Sequence, residues 1–335
     1  MTDLFHYPNM KKLYKKGEFN FEWLFAIVAG CAILVLAIYG ATRFSNTLKY
    51  QSDTELAKKL SIILDPLQAG FTEGKSSSIQ FNQDTKINNV CDSWKYGANK
   101  ISASTKSTSK TGWSKNGAET KIENKYLFSS TEGAKKYIVF SVPFNLGFKV
   151  SDLLLMTSEK YCYVNPPEEI ETLIKGLKIE NFKVNNENCG NNSIRVCFKS
   201  SKSKTIYKNC NITVYGLCDN CESNFEYGYV EKAGKRLYFI ENLVYAAIIS
   251  NQDLYNCNVK RLFYRASSLS ELYIEKGNSM ASRSCFENLK PQLLSFVKTL
   301  ESASRLERFD SVLISINMLA QELSEKNNAE ACDIW

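Results

Sequence analysis

Ten of the chain's eleven cysteines lie beyond residue 44: Cys91, Cys162, Cys189, Cys197, Cys210, Cys218, Cys221, Cys257, Cys285 and Cys332. Cysteines in such number either pair as disulfides or hold a soft metal. Cys218-Asp219-Asn220-Cys221 has the short spacing of a metal or redox pair, but no second C-x-x-C accompanies it. A zinc site there would also need imidazole or further thiolate, and the one histidine, His6, stands far upstream. The even count therefore points to a disulfide framework of up to about five bridges, which requires an oxidising compartment. Cys189 and Cys197 are near enough in sequence to close across a turn. Cys31, within a long apolar run, reads as a small apolar residue.

The single histidine also limits catalysis. Ser-His-Asp and Cys-His mechanisms are excluded from everything that follows it, and the commonest general acid or base at neutral pH is missing. Carboxylates alone can hydrolyse glycosides, and the densest acids are Glu168, Glu169 and Glu171. They follow Pro166-Pro167, where acids in the first turn are what a helix N-terminus favours. No Gly-rich phosphate loop or nucleotide fingerprint occurs. The sequence names no catalytic residue, metal or cofactor, so the expectation is a non-enzymatic protein. A net charge of +7 with basic and acidic residues interspersed gives no case for nucleic acid as a partner.

The elements that would position these residues begin with an anchor. Trp23–Thr42 contains no charged residue, and at 1.5 Å per residue such a run spans a hydrocarbon core of about 30 Å. A soluble helix of that length would show a polar stripe, and this one shows none. Lys11, Lys12, Lys15 and Lys16 precede it and only Arg43 follows closely. The positive-inside rule then keeps the N-terminus cytoplasmic and puts the bulk of the chain outside, as a single-pass protein of the cell membrane. The apolar run exceeds a secretory h-region and ends without an A-x-A exit, which favours retention. Leu48, Leu56, Leu60, Ile63, Leu64 and Leu67 repeat at helical spacing, so the helix is expected to continue to about Pro66.

The junction Lys15-Lys16-Gly17-Glu18-Phe19-Asn20-Phe21-Glu22-Trp23 resembles the leader of archaeal type IV pilins. In that family a basic stretch and a glycine precede the cut, and a glutamate is the fifth mature residue. Lys15, Lys16, Gly17 and Glu22 match those places; Glu18 departs from the family's frequent glutamine. The resemblance implies cleavage after Gly17 by a prepilin-peptidase-like protease, and a Glu22 that meets the N-terminal amine of a neighbouring subunit in an assembly. Read without the resemblance, the lysines orient an anchor and Glu22 lies among lipid headgroups. With its Phe-Glu-Trp-Leu-Phe-Ala-Ile-Val-Ala-Gly run from Phe21, its Tyr-Cys-Tyr-Val-Asn-Pro-Pro-Glu-Glu-Ile stretch from Tyr161 and Cys332 near the C-terminus, the chain also resembles large membrane-anchored proteins of small-genome archaea, a likeness that implies no particular activity.

Strands are expected at Ser78–Gln83, Glu119–Phe128, Lys136–Val142, Ile194–Phe198, Asn211–Tyr215 and Tyr227–Ile240, from β-branched and aromatic content between Gly, Asn and Ser. Asn99–Gly117, rich in Ser, Thr, Lys and Gly, reads as a solvated loop or hairpin tip, or as an adhesive surface around Trp113. Asn191-Asn192-Ser193 and Asn211-Ile212-Thr213 are glycosylation acceptors if extracellular, or unused turns. A short helix is expected to about Lys175. Helical spacing then covers Asn242–Ser250, Leu254–Lys276, Phe286–Ala303 and Glu307–Lys326. Three antiparallel helices would place Cys285 and Cys332 at one end, where they should pair, and leave Cys257 to a partner in the β region.

The fold class expected is α+β, with a long N-terminal transmembrane helix, a β-rich disulfide-bonded ectodomain and a C-terminal antiparallel helical bundle. The segments are a basic leader (1–17), the anchor and its amphipathic extension (18–68), the β-rich part (69–240) and the bundle (241–335). The expected role is a pilin-like surface structural or interaction protein, with the bilayer, the processing protease and homo-oligomer or other surface proteins as partners. The alternative is a single-pass receptor that does not assemble.

Overall fold

A computed structural model describes residues 21–70, 76–106, 112–185, 189–200, 209–217, 225–280, 285–306, 309, 312–329 and 334–335. The chain divides into two compact units, one ending at Leu48 and one running from Lys49 to Trp335. The first helix, α1 (Phe21–Gly70), belongs to both. Its first part is apolar on every side, with Leu24, Ile27, Val28, Ile33, Val35 and Leu36 all exposed. The helix is long and apolar enough to cross a membrane.

From Lys49 onward α1 changes character. Asp53, Ala57, Leu60 and Leu64 recur at helical spacing on one face and are buried. They lie on a six-stranded sheet built from β1 (Ser76–Asp92), β2 (Ala98–Thr105), β3 (Thr120–Glu123), β4 (Tyr126–Ser129), β5 (Ala134–Asn145) and β6 (Lys149–Thr157), in the order β3-β2-β1-β5-β6-β4. The β4–β6 pair is parallel and the rest antiparallel. Period two sorts the side chains: Tyr137, Val139, Leu154 and Met156 join Leu60 and Leu64 on one face. Ile138, Phe140, Val142, Leu153 and Leu155 enter the main core on the other. Each leucine so buried contributes about 1.5–3 kcal/mol.

The helix approaches this sheet closely. Asp53 Oδ2 accepts from Ser114 Oγ at 2.5 Å, and Ser114 Oγ accepts from Thr105 N at 2.9 Å. Thr54 Oγ1 accepts from Ala118 N at 2.9 Å. A Cβ on Gly117 would stand 2.6 Å from Thr54 N, so only glycine allows the two backbones to meet there.

The second sheet contains β7 (Tyr161–Val164), β8 (Phe182–Val184), β9 (Ile194–Ser200), β10 (Ile212–Gly216), β11 (Tyr227–Lys232) and β12 (Lys235–Ile240), in the order β12-β11-β10-β9-β7-β8. The β9–β10, β7–β9 and β7–β8 pairs are parallel. The crossover between β7 and β8 carries α2 (Glu168–Gly176). Four helices follow: α3 (Leu243–Ile249), α4 (Gln252–Ser279), α5 (Cys285–Arg305) and α6 (Leu313–Ala329). Asn251 caps α4 by accepting from Leu254 N at 2.9 Å. Helices α4, α5 and α6 share one continuous core with both sheets.

Four corrections to the expectations follow. Asn99–Gly117 is not a solvated loop throughout: β2 occupies its first part with Asn99, Ser102, Ser104 and Thr105 buried. These side chains are small enough to be covered by the chain folding back, where Gly117 N donates to Ala103 O at 2.9 Å. Trp113 is half-exposed but lies against Gly133, and residues 107–111 fall outside the described residues. Glu119–Phe128 is two strands in place of one, broken where Asn124 takes a left-handed backbone with φ 56°. The last helix begins at Leu313, several residues after Glu307.

The fourth correction concerns Cys189 and Cys197, which do not pair. Among the described residues the bridges are Cys162–Cys189, Cys197–Cys210 and Cys91–Cys257. Extended β9 carries Cys197 about 10 Å beyond its first residue at about 3.3 Å per residue. Cys189, before that strand, meets the neighbouring β7 instead. Cys257 of α4 finds its partner in the β region, on β1. Cys218, Cys221, Cys332 and the side chain of Cys285 lie outside the described residues.

Beneath the Cys91–Cys257 bridge lies a polar cluster. Arg261 of α4, wholly buried, donates to Tyr96 O, Asn99 Oδ1 and Asn258 Oδ1, each at 2.7 Å. Its guanidinium also stacks on Tyr126, 4.8 Å from the ring centre. Asn258 Nδ2 and Asn99 Nδ2 both reach Leu127 O. One helix is thereby held to β1, β2, β4 and the β1–β2 turn.

Candidate functional site

A cleft opens where the first turn of α2 faces the end of β12 and the start of α3. Its volume is about 770 Å³, and Glu168, Glu169, Glu226 and Glu241 line it together with Ile170, Leu173, Phe225, Val244 and Tyr245. Pro166 and Pro167 set the start of α2, whose amphipathic pattern buries Ile170 and Ile174 and turns Glu168 and Glu169 outward. Glu241 follows β12 in a left-handed backbone, φ 50°, and its N–H donates to Glu226 O at 2.6 Å. That conformation is strained for a residue other than glycine. Asn242 Nδ2 donates to Pro143 O at 2.8 Å and fixes the turn into α3. Gln321 Nε2 donates to Glu226 Oε2 at 2.9 Å.

The charge is one-sided. Burial holds the Glu241 carboxyl above the usual carboxylate range, and the negative charges of Glu226 and Glu169 raise it further. Glu171, the third acid of the sequence cluster, does not line the cleft; it pairs with Lys175 one turn on. An acidic rim over an apolar floor suits a cation carried on an apolar stem, such as a lysine or arginine side chain of a partner. Among the described residues no group of His, Cys, Asp and Glu is arranged to hold a metal ion.

Glu226 and Glu241 escape sequence reasoning, because they stand far from α2 in the chain and carry no motif. A second, half-buried polar group escapes it as well. Lys232 Nζ caps the C-terminal end of α3 by donating to Ile248 O at 2.8 Å and to Ser250 O. Burial lowers its pKa to about 8, and nearby Glu159 offsets this in part. Tyr161 donates to Glu159 Oε2 at 2.5 Å, and burial raises the pKa of both groups.

Of the processing residues, Gly17 and Glu18 lie outside the described residues, and Glu22 is exposed in the first turn of α1. Asn191 and Asn211 are exposed at the starts of two adjoining strands. Comparison with protein-family models, with curated proteins and with solved structures gives no match to this chain.

Proposed function

We propose that this chain is a non-enzymatic, single-pass membrane protein of the cell surface. Its N-terminus is cytoplasmic and its disulfide-bonded unit extracellular. It is pilin-like, with a leader removed after Gly17 and assembly through α1. The observation that carries the reading is α1 itself. One helix of 50 residues is apolar and exposed over its first part and seated on a sheet from Asp53 onward. An apolar helix surface of that extent needs lipid or other helices around it. Three disulfides agree with an oxidising location. The basic residues before the helix, with Gly17 and Glu22, supply the processing motif, and the C-terminal helices read as an antiparallel bundle that closes the extracellular core.

The test is intact mass and N-terminal sequencing of the mature protein from native membranes, before and after reduction. A chain beginning at Glu18 is expected. A chain still beginning at Met1 would overturn pilin-type processing. The acidic cleft favours the alternative that would then stand: a signal-anchored receptor that binds a cationic partner and does not assemble.

A further inference from the structure

The starts of β9 and β10 lie side by side, because the strands are parallel with Ile212 opposite Val196 and Asn211 N donating to Arg195 O at 3.0 Å. Each start carries an Asn-x-Ser/Thr triplet just after a half-cystine: Cys189-Gly190-Asn191-Asn192-Ser193 and Cys210-Asn211-Ile212-Thr213. Both asparagines are exposed, and both line one polar cleft of about 400 Å³. Cys189 is bridged to Cys162 of β7 and Cys210 to Cys197 of β9, so covalent links fix both triplets at the same sheet end. Asn211 uses Oδ1 within the fold, accepting from Arg195 N at 2.9 Å. Its Nδ2 has no acceptor among the described residues.

We propose that Asn191 and Asn211 form one paired N-glycosylation site, placing two oligosaccharides over the adjoining Cys162–Cys189 and Cys197–Cys210 bridges. The inference rests on the extracytoplasmic placement proposed above. In the transfer, the asparagine amide nitrogen bonds to the anomeric carbon of a lipid-phosphate-linked oligosaccharide. The bond from that carbon to the phosphate oxygen breaks, the lipid phosphate departs, and the amide proton passes to a base of the transferring enzyme. Nothing is oxidised or reduced.

The two acceptors differ in when they can react. A transferring enzyme must grip the backbone of the triplet. Asn191–Ser193 is a turn ahead of β9 and stays accessible in the folded protein. Ile212 is buried, and β10 lies hydrogen-bonded between β9 and β11, with Thr213 opposite Cys197 and Glu231. Asn211 therefore reacts before β10 enters the sheet and before Cys197–Cys210 closes, whereas Asn191 reacts at any stage.

Unreduced peptide mapping by mass spectrometry of the full chain from native membranes reads both the bridges and the glycans. Expected are both linked peptide pairs, with a shared glycan mass on Asn191 and on Asn211. Ser193→Ala should remove only the first glycan and Thr213→Ala only the second, while the Arg195–Asn211 hydrogen bond is kept. Cys197→Ser with Cys210→Ser should raise the modified share at Asn211 and leave Asn191 unchanged. Bridged peptides with either asparagine bare would overturn the paired site and leave the extracellular placement standing. Free thiols at the four cysteines would overturn the placement and the site together. Unchanged Asn211 occupancy in the double-serine variant would overturn the order of events.

Discussion

Truncating Arg261 should cost more than any exposed arginine, and the structure says how much. The side chain is wholly buried, and its described partners are three oxygens and an aromatic ring, with no carboxylate among them. Burial accordingly lowers its pKa, and Nη2 has no hydrogen-bond partner among the described residues. Three hydrogen bonds from a charged donor are worth about 1.5–3 kcal/mol each. Desolvating the guanidinium costs several kcal/mol, so the net worth of the intact group is small. Removal is asymmetric. In Arg261→Ala, Tyr96 O and Asn258 Oδ1 lose their donor inside the protein, and a void replaces the side chain. Asn99 Oδ1 fares better, since it still accepts from Leu127 N at 3.2 Å. The expected loss is about 3–5 kcal/mol. Arg261→Met fills most of the space and removes the buried charge, leaving only the acceptors unmet, and should cost about 1–2 kcal/mol. Guanidinium unfolding of the full chain in detergent, followed by far-UV circular dichroism and tryptophan fluorescence, gives both values. An alanine variant within about 1 kcal/mol of the parent, or a methionine variant as unstable as alanine, would refute this account of the cluster.

Two further predictions use the same assay. The Cys91–Cys257 bridge closes 166 residues and Cys197–Cys210 only 13; the chain-entropy argument gives about 5 and about 3 kcal/mol. Serine pairs at the first site should therefore cost about 2 kcal/mol more than at the second, and equal losses would contradict that view. Lys232 has a folded pKa of about 8 against 10.5 when unperturbed, so the unfolded chain holds that proton more tightly. Stability should rise with pH from about 8 towards 10.5, by up to about 3 kcal/mol. Tyr137, pushed up to about 12 by burial, opposes this above pH 10. The rise between pH 8 and 10 should vanish in Lys232→Met, and a parent protein with no slope there would sink the prediction.

The parts of the fold legible in the sequence are those where one periodicity dominates. Leu60 and Leu64 on α1, the stripe of α4 from Val259 to Ala266, and Ile170 with Ile174 on α2 each mark a single buried face. Strands buried on both faces lose that signal. Leu153-Leu154-Leu155-Met156 in β6 is a continuous apolar run because α1 covers one side and the main core the other. Tyr161–Val164 of β7 is likewise buried throughout. Strand β2 is hidden for the opposite reason, since Ser102, Ser104 and Thr105 are polar in composition and buried through their small size and hydrogen bonds. In the acidic cleft, only Glu168 and Glu169 were legible, as local neighbours on one helix. Glu226 and Glu241 join them through the β11–β12 hairpin and the turn into α3, a long-range pairing that no local spacing encodes.

The same distinction bears on how α1 could serve an assembly. In the proposed role, load borne by the helix has to reach the core without peeling the sheet away. From Asp53 onward the seam rests on burial of Ala57, Leu60 and Leu64 and on backbone contact at Gly117. Such a seam resists shear through apolar burial and the Asp53–Ser114 and Thr54–Ala118 hydrogen bonds, none of them covalent. The next layer is joined differently. Strand β1, whose Ile79, Phe81 and Ile87 share a core cluster with Leu60 and Leu64, is tied to α4 by the Cys91–Cys257 bridge, and the Arg261 cluster ties α4 to β2 and the β1–β2 turn beside it. The long-range disulfide thus stands where the helix-bearing sheet meets the main core, the junction that a surface subunit would most need to keep closed.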